Sequence, residues 1–299
     1  MQINSGNLRT LGTGYKASFA QGLGMVTSMR ALVATTVPST TGKEEYGWLG
    51  QSPSMREWLG PRVVQNIATH DYTIKNRSWE LTQAVDRDAI EDDSYGVYAP
   101  LMQEMGRSVA AHPEQLVFEL LAAGFSVPCY DGQNFFDTDH PVLDAAGNEV
   151  FVANTDAVPG NGPAWFLIDD TRALKPILFQ ERKKPVFVAK DNPDDERVFW
   201  NKEFVYGADA RYNVGFGFWQ FAWGSKKPLT ASAYGDARAA MGLFKGDGGR
   251  PLGITPKLLV VPPQLESAAL KIVNNELGAG GETNEWKGTA KVVVVPWLA

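Results

Sequence analysis

The stretch SYGVYAPLMQEMGRSVAAHPEQLVFELLAAG, residues 94–124, decides how the rest of the chain must be arranged. Asp93 or Ser94 can cap a helix start, and Pro100 suits a first turn, where its missing N–H would have no partner anyway. Leu101, Met105 and Val109, then Leu116 and Leu120, keep one apolar face at helical spacing, and Gly124 closes the run. Pro113 stands midway, so either the helix kinks there or a second helix begins after His112. About 24 residues of this stretch in a helix reach about 36 Å at the usual rise, enough to serve as the backbone of a whole subunit.

Upstream, the acidic residues Asp86, Asp88, Glu91, Asp92 and Asp93 lead into this helix, and strand-like runs stand at 63–67, 72–75 and 79–85. Residues 46–61 carry Trp48, Leu49, Met55, Trp58 and Leu59, while Gly47, Gly50, Pro53, Gly60 and Pro61 deny them regular structure. Trp-Leu-Gly recurs at 48–50 and 58–60, which suits a hairpin tip, and so apolar a loop must bury itself in its own domain or in a neighbour. Residues 1–45 are rich in Gly, Ser and Thr and cannot build a core alone, although a short helix at 15–21 is expected. Their composition leaves an extended arm and a disordered tail equally open.

Downstream, strands are expected at 165–168, 176–180, 186–189, 204–206 and 214–223, the last from the alternation of Val214, Phe216 and Phe218 with Gly215 and Gly217. Ala237, Ala240, Met241 and Phe244 mark an amphipathic helix. A strand at 258–261, a break at Pro262 and Pro263, a helix at 265–277 and a strand at 292–295 complete an α+β chain without solenoid repeats.

The 299 residues, 32.7 kDa, suit two units or one large composite domain. Hydrophobic content of 44% and charged content of 21% exclude wholesale disorder and coiled coil. A net charge of −6 argues against gripping nucleic acid through a basic face. The charge is uneven: residues 1–150 hold 10 Lys and Arg against 18 Asp and Glu, and the remainder 18 against 16. Cys129, the single cysteine, excludes an internal disulfide or a cysteine-built metal cluster and suits a reducing compartment. No secretory signal and no membrane-length apolar run is visible, so a soluble chain folding in the cytoplasm is expected.

The most enzyme-like stretch is 130–141. Asp137, Asp139 and His140 could ligate a divalent metal, or Cys129 and His140 could act as nucleophile and base. Asp-Gly and His-Pro are ordinary turn material, however, and these residues cluster in sequence instead of converging from separate elements. Gly246–Gly249 lacks the Lys-Ser/Thr of a phosphate loop, and the glycines at 278–281 follow a helix instead of leading into one. Residues 191–196 have Pro193 and Glu196 where a calcium loop needs Asp/Asn and Gly, and Glu181-Arg-Lys-Lys184 reads as a solvated strand end. No nucleophile, base and orienting group can be assembled, which argues against an enzyme. A thin arm, an apolar loop, a long helix and a compact α+β end are instead the parts of a subunit that interlocks with its copies.

Residues 46–50 (YGWLG), 63–76 (VVQNIATHDYTIKN), 90–93 (IEDD) before 98–100 (YAP), 129–137 (CYDGQNFFD), 175–182 (KPILFQER) and 246–249 (GDGG) before 260–262 closely resemble the major head subunit of Mu-like phages and prophages, the T-protein family. The similarity runs in order over almost the whole chain. It implies a major capsid protein of the Hong Kong-ninety-seven type: an N-terminal arm (1–45), an extended loop (46–85), a peripheral domain (86–230) with a spine helix (95–124), and an axial-domain core (231–299). In many relatives the aromatic strand and the Pro-containing strand follow the C-terminal Val-rich strand. Here 165–168 and 176–180 precede it, which implies a rearranged strand order around the same core. The resemblance also implies self-assembly into hexamers and pentamers of an icosahedral shell, with a scaffolding protein, a head maturation protease and a portal as partners. That shell encloses double-stranded DNA without sequence-specific binding, in a virion assembled in the host bacterial cytoplasm. Neither cofactor, metal nor membrane is implied. The rival readings are a metal-dependent hydrolase using Asp137, Asp139 and His140, and a tail or baseplate subunit. On the capsid reading His140→Ala leaves particle yield and metal content unchanged, and residues 1–45 become ordered only in the particle.

The subunit-interface candidates are Trp48, Leu49, Met55, Arg56, Glu57, Trp58 and Leu59. Burial of Trp48 and Trp58 against a neighbour contributes roughly 1.5–3 kcal/mol each, while Arg56 and Glu57 set register at well under that magnitude. Trp58→Ala is therefore expected to give soluble, folded monomers that fail to close into shells, as seen by circular dichroism and negative-stain microscopy. A variant that unfolds as a monomer would place Trp58 in an internal core instead.

Overall fold

The apolar run before Gly124 folds as one unbroken helix. In a computed structural model that describes residues 5–47, 72–93, 96–278 and 280–299, the chain opens with helices α1 (Ser5–Leu23) and α2 (Arg30–Val33) and strands β1 (Ala34–Pro38) and β2 (Lys43–Glu45). Strands β3 (Thr73–Lys75) and β4 (Arg77–Asp86) and helices α3 (Arg87–Glu91) and α4 (Tyr98–Ala123) follow. The middle of the chain comprises β5 (His140–Leu143), β6 (Glu149–Val152), β7 (Trp165–Ile168), β8 (Ile177–Lys190), α5 (Glu196–Asn201), β9 (Glu203–Phe216) and β10 (Ala222–Ser225). It ends with α6 (Ala231–Gly242), β11 (Leu258–Val261), α7 (Glu266–Val273) and β12 (Lys291–Val294).

Helix α4 has 26 residues, about 39 Å at the usual rise, and Pro113 stays inside it, buried. Packing along both halves of the helix outweighs a local cost of about 3 kcal/mol for an interior proline. Before the helix, Asp93 Oδ1 accepts hydrogen bonds from the Gly96 and Val97 amides at 2.8 and 3.3 Å, which closes the preceding turn, while the N-cap position itself is Val97 and has no side-chain cap. Ser94 lies outside the described residues. The buried face differs from the expected one. Met102, Met105, Gly106, Pro113, Glu114, Val117, Phe118 and Leu121 are buried, whereas Leu101 is 48% exposed and Leu116 and Leu120 are half-buried. The helix holds more apolar residues than one stripe needs, and its partners choose among them.

Those partners differ between its two ends. At the N-terminal half, α1 lies along α4 and buries Leu8, Tyr15 and Phe19 with Met102 and Met105. Tyr15 meets the Tyr206 ring edge-on at 5.2 Å and Phe19 meets Phe187 at 5.1 Å. The helix is longer than the expected 15–21 because these contacts outweigh the weak propensity of its glycines. Two glycines permit the approach: a Cβ on Gly106 would collide with the Phe19 carbonyl, and one on Gly22 with the Gln103 carbonyl. At the C-terminal half, Val117, Phe118 and Leu121 enter a second, larger core.

The two cores underlie two sheets. One has the order β1-β8-β9-β4, with β1 parallel to β8 and the other pairs antiparallel. The other has the order β10-β7-β11-β12, with β11 and β12 parallel, and β7 and β11 buried at every position. The runs expected at 176–180 and 186–189 are a single strand, β8, and Glu181-Arg-Lys-Lys184 is a bulged stretch within it and not a strand end. The run expected at 214–223 divides: β9 stops at Phe216, a 3-10 turn at Trp219–Phe221 follows, and β10 crosses to the other sheet. Helix α7 ends four residues before the expected 277, with Ala269, Ile272 and Val273 inward. The sheets do not follow simple chain segments, since β7 and β10 come from 86–230 to pair beside β11, and β1 comes from 1–45 to pair with β8.

Where the cores meet, the buried Glu114 carboxylate fastens α2 to α4. Oε1 accepts from Ser28 Oγ at 2.7 Å, and Oε2 accepts from the Met29 and Arg30 amides at 2.9 and 2.7 Å. Arg30 Nε stands 3.4 Å from Oε1, and its guanidinium lies 4.2 Å above the Phe179 ring.

On an open helix face Gly→Ala gains about 0.5–1 kcal/mol. At Gly106 the sign should reverse. Gly106→Ala is expected to lower the midpoint of denaturant unfolding and to speed tryptic cleavage within residues 5–23 of the free subunit. Unchanged protection would show that α1 is not held by this contact.

Candidate functional site

Trp48, Leu49, Met55, Arg56, Glu57, Trp58 and Leu59, and the strand expected at 63–67, lie outside the described residues. What is described is the pair of strands that flanks that segment. Strands β2 and β3 pair antiparallel, and the Tyr46 amide donates to the Tyr72 carbonyl at 2.8 Å, so Tyr46 and Tyr72 stand side by side. A buried polar clamp holds them. Tyr46 Oη donates to Gln180 Oε1 at 2.8 Å, and Gln180 Nε2 donates to the Ile74 carbonyl and to Asn76 Oδ1 at 3.1 and 2.9 Å. Asn76 Nδ2 donates in turn to Ser39 Oγ at 2.7 Å, and Tyr72 Oη accepts from the Phe216 amide at 2.7 Å.

Burial pushes the Tyr46 and Tyr72 phenols up to about 12, which keeps both protonated at neutral pH. Hydrogen bonds from the Thr41 and Thr40 amides and from Ser39 hold the half-buried Glu44 carboxyl down at about 2. Sequence reasoning missed Gln180 and Asn76, since nothing in a strand of buried residues marks one glutamine as the centre of a clamp. The buried polar character of a Gln after Ile-Leu-Phe was the available signal.

The enzyme-like stretch folds into a different constellation from the one expected. Asp137 takes part in its own turn, accepting from the Asn134 and Thr138 amides at 3.2 and 2.7 Å. His140 is fully buried and turns instead to Asp131, with Nδ1 at 2.8 Å from Oδ2, while Cys129 Sγ donates to the other oxygen of the same carboxylate at 3.0 Å. Among the described residues, the group of possible metal ligands within 4.8 Å of one another is Cys129, Asp131 and His140, without Asp137 or Asp139. The ring stacks on Trp219 at 4.0 Å, and Nε2 meets Asn154 Oδ1 at 3.2 Å. Asn154 is oriented by its own amide nitrogen, which donates to the Phe135, Trp219 and Ala222 carbonyls.

The geometry does not pair the cysteine with the imidazole. A nucleophilic cysteine needs its hydrogen bond from an imidazole, but here the carboxylate stands between the two. Burial, reinforced by the Asp131 charge, pushes the Cys129 thiol far up, away from the thiolate that attacks. Burial also pushes the Asp131 carboxyl up, but the hydrogen bonds from His140 and Cys129 outweigh it and hold the group below its ordinary value. The arrangement is a closed polar knot that pins 129–140 to 154 and 219.

With fold and site in view, the chain can be set beside known proteins. The family described as Mu-like prophage major head subunit gpT matches residues 8–298. The major capsid protein of Escherichia phage Mu is 43% identical over 305 residues, covering 100% of both chains. The Mu-like prophage FluMu major head subunit of Haemophilus influenzae is 44% identical and covers 91% of this chain and 90% of its own. The subunit in the procapsid of bacteriophage JBD30 superposes with a TM-score of 0.85 at 46% identity, over 99% of this chain and 100% of that one.

Full burial of His140 overturns the expectation that His140→Ala would be neutral. Removing a stacked, doubly hydrogen-bonded ring should cost about 3–5 kcal/mol, read as a loss of unfolding free energy and of soluble yield. Asp131 adds a pH signature. Its folded value lies below its unfolded one, so its contribution is complete above about pH 4 and is lost as pH falls through the folded value. Asp131→Asn should therefore flatten the loss of stability below pH 4, and an unchanged acid slope would show that the carboxylate is not linked to folding.

Proposed function

We propose, for a chain that belongs to the Mu-like prophage major head subunit family, that its work is to close in many copies into an icosahedral shell of hexamers and pentamers around phage double-stranded DNA. The chain is a major capsid protein, built on the Hong Kong-ninety-seven-type fold and a component of the virion. The observation that carries the reading is the end-to-end agreement, in sequence and in fold, with the JBD30 procapsid subunit. Many copies of the same chain are its partners.

On this reading residues 1–45 are the arm, 46–85 the extended loop, 86–230 the peripheral domain with α4 as its spine, and 231–299 the axial core. The clamp around Gln180 supports the loop assignment, because a loop that must reach a neighbour needs both feet fixed on its own subunit. Trp48 and Trp58 with their neighbours are its contact residues. A scaffolding protein, a head maturation protease and a portal complete the assembly, which takes place in the host cytoplasm. A non-catalytic role is supported by the protonated thiol of Cys129 and by the enclosure of His140.

Shells from cells expressing the chain with the other head proteins should show a dominant band near 32.7 kDa and closed particles in negative stain. Tubes or rings would favour the tail or baseplate reading. Absence of the band from purified heads would end the capsid reading.

A further inference from the structure

Beyond the loop and the arm, one more surface is shaped for a neighbour. Helix α5 caps the far end of the β8–β9 hairpin. Val198 turns inward and is 3% exposed, in the same core as Leu8 and Phe204, while Phe199 and Trp200 turn outward at 71% and 76% exposure. Their rings meet edge-on at 5.0 Å and 89°. Lys202 ends the helix at φ 55 in the left-handed region, and its amide donates to the Val198 carbonyl at 3.1 Å. Its ammonium reaches Asp88 at 3.1 Å, and Arg197 reaches Glu203 at 3.1 Å.

We infer that the Phe199–Trp200 pair seats on a second copy of this chain, against the uncovered half of that copy's β8. The inference rests on the self-assembly reading and adds a specific contact to it. Area argues for a shell contact over a two-body complex. Two aromatic side chains offer on the order of 150–250 Å² each, well short of the roughly 800 Å² per partner of a stable pair, so the contact holds only beside others in a closed assembly.

Charge selects the seat. Asp194 and Glu196, beside the aromatics, have no ion-pair partner among the described residues, so two such tips would repel face to face. Strand β1 covers β8 only as far as Glu181. Beyond it Val186 and Val188 are 46% and 45% exposed, and Arg182 and Lys184 have no ion-pair partner among the described residues. Asp209, across from Val186, is already paired with Lys183, and Glu80 lies one strand further away on β4. Between Glu181 and Val188 the unpaired charge on β8 itself is therefore that of Arg182 and Lys184, which answers the carboxylates beside the aromatic rings. A contact of tip on flank is heterologous, the kind that forms a ring when its rotation divides a full turn.

The test uses particles and dissociated subunits of the full chain. Wild-type particles must form first, and if none do, the assembly reading itself fails. Given them, Phe199→Ser with Trp200→Ser is expected to leave a folded subunit by circular dichroism and to cut particle yield at least tenfold. Reversing Arg182→Glu and Lys184→Glu should do the same, and adding Asp194→Lys and Glu196→Lys should restore closure. Because Cys129 is buried, Trp200→Cys supplies a single accessible thiol. It should react with maleimide in the free subunit and be protected at least tenfold in particles, which decides the matter even where the double serine variant fails to fold. Normal yield of a folded double variant, equal thiol reactivity in both states, or protection that survives the Arg182/Lys184 reversal would overturn the inference. The last result would assign the tip to another virion protein.

Discussion

One helix serves two hydrophobic cores, and the subunit is organised around that fact. The N-terminal half of α4 supplies Met102 and Met105 to the core beneath α1, and its C-terminal half supplies Val117, Phe118 and Leu121 to the core beneath both sheets. Pro113 and Glu114 stand at the changeover. A carboxylate this buried is tolerable only with its lone pairs filled, and the Ser28 hydroxyl with the Met29 and Arg30 amides fills them. The same bonds therefore fix where the chain leaves α1 and enters β1. Helix α2, helix α4 and the start of β1 are located by a single side chain.

A subunit of this kind must be stiff where it holds its own parts and extended where it meets others. The structure separates the two demands along the chain. Stiffness comes from buried polar networks: the Gln180 clamp under the loop, and the knot of Cys129, Asp131, His140 and Asn154. Such networks specify one arrangement because each member left unpaired would cost the full desolvation of its group. Reach comes from the hairpin of β8 and β9, whose tip carries aromatic rings away from the body.

The His140 knot shows how residue types common in enzyme sites can also fasten a fold. A cysteine, a carboxylate and an imidazole within 4.8 Å are the parts of a nucleophilic site or of a metal centre. What separates them from a cysteine–imidazole pair is order and burial. The carboxylate sits in the middle, the thiol is held protonated, and the ring is sealed between Trp219 and Asn154. The residue types are those of chemistry, but the geometry is that of a fastening.

Much of the architecture was legible in local patterns. The fully apolar strands β7 and β11 and the long α4 follow from hydrophobic runs and their punctuation, because those signals are contained within a few residues. The resemblance in the runs at 63–76 and 129–137 identified the family, since order along a chain needs no geometry. What tertiary structure alone decided was choice among equals. Which stripe of α4 is buried depends on α1 and the sheets that cover it, and whether glycine-rich residues 5–23 form a helix depends on Gly22 and Gly106 letting two backbones touch. Whether His140 meets Asp137 or Asp131 depends on a turn closed from Asn154, distant in sequence and adjacent in space. Periodicity records the propensity of a segment for a shape, while burial and pairing are properties of two segments at once, and no single segment contains them.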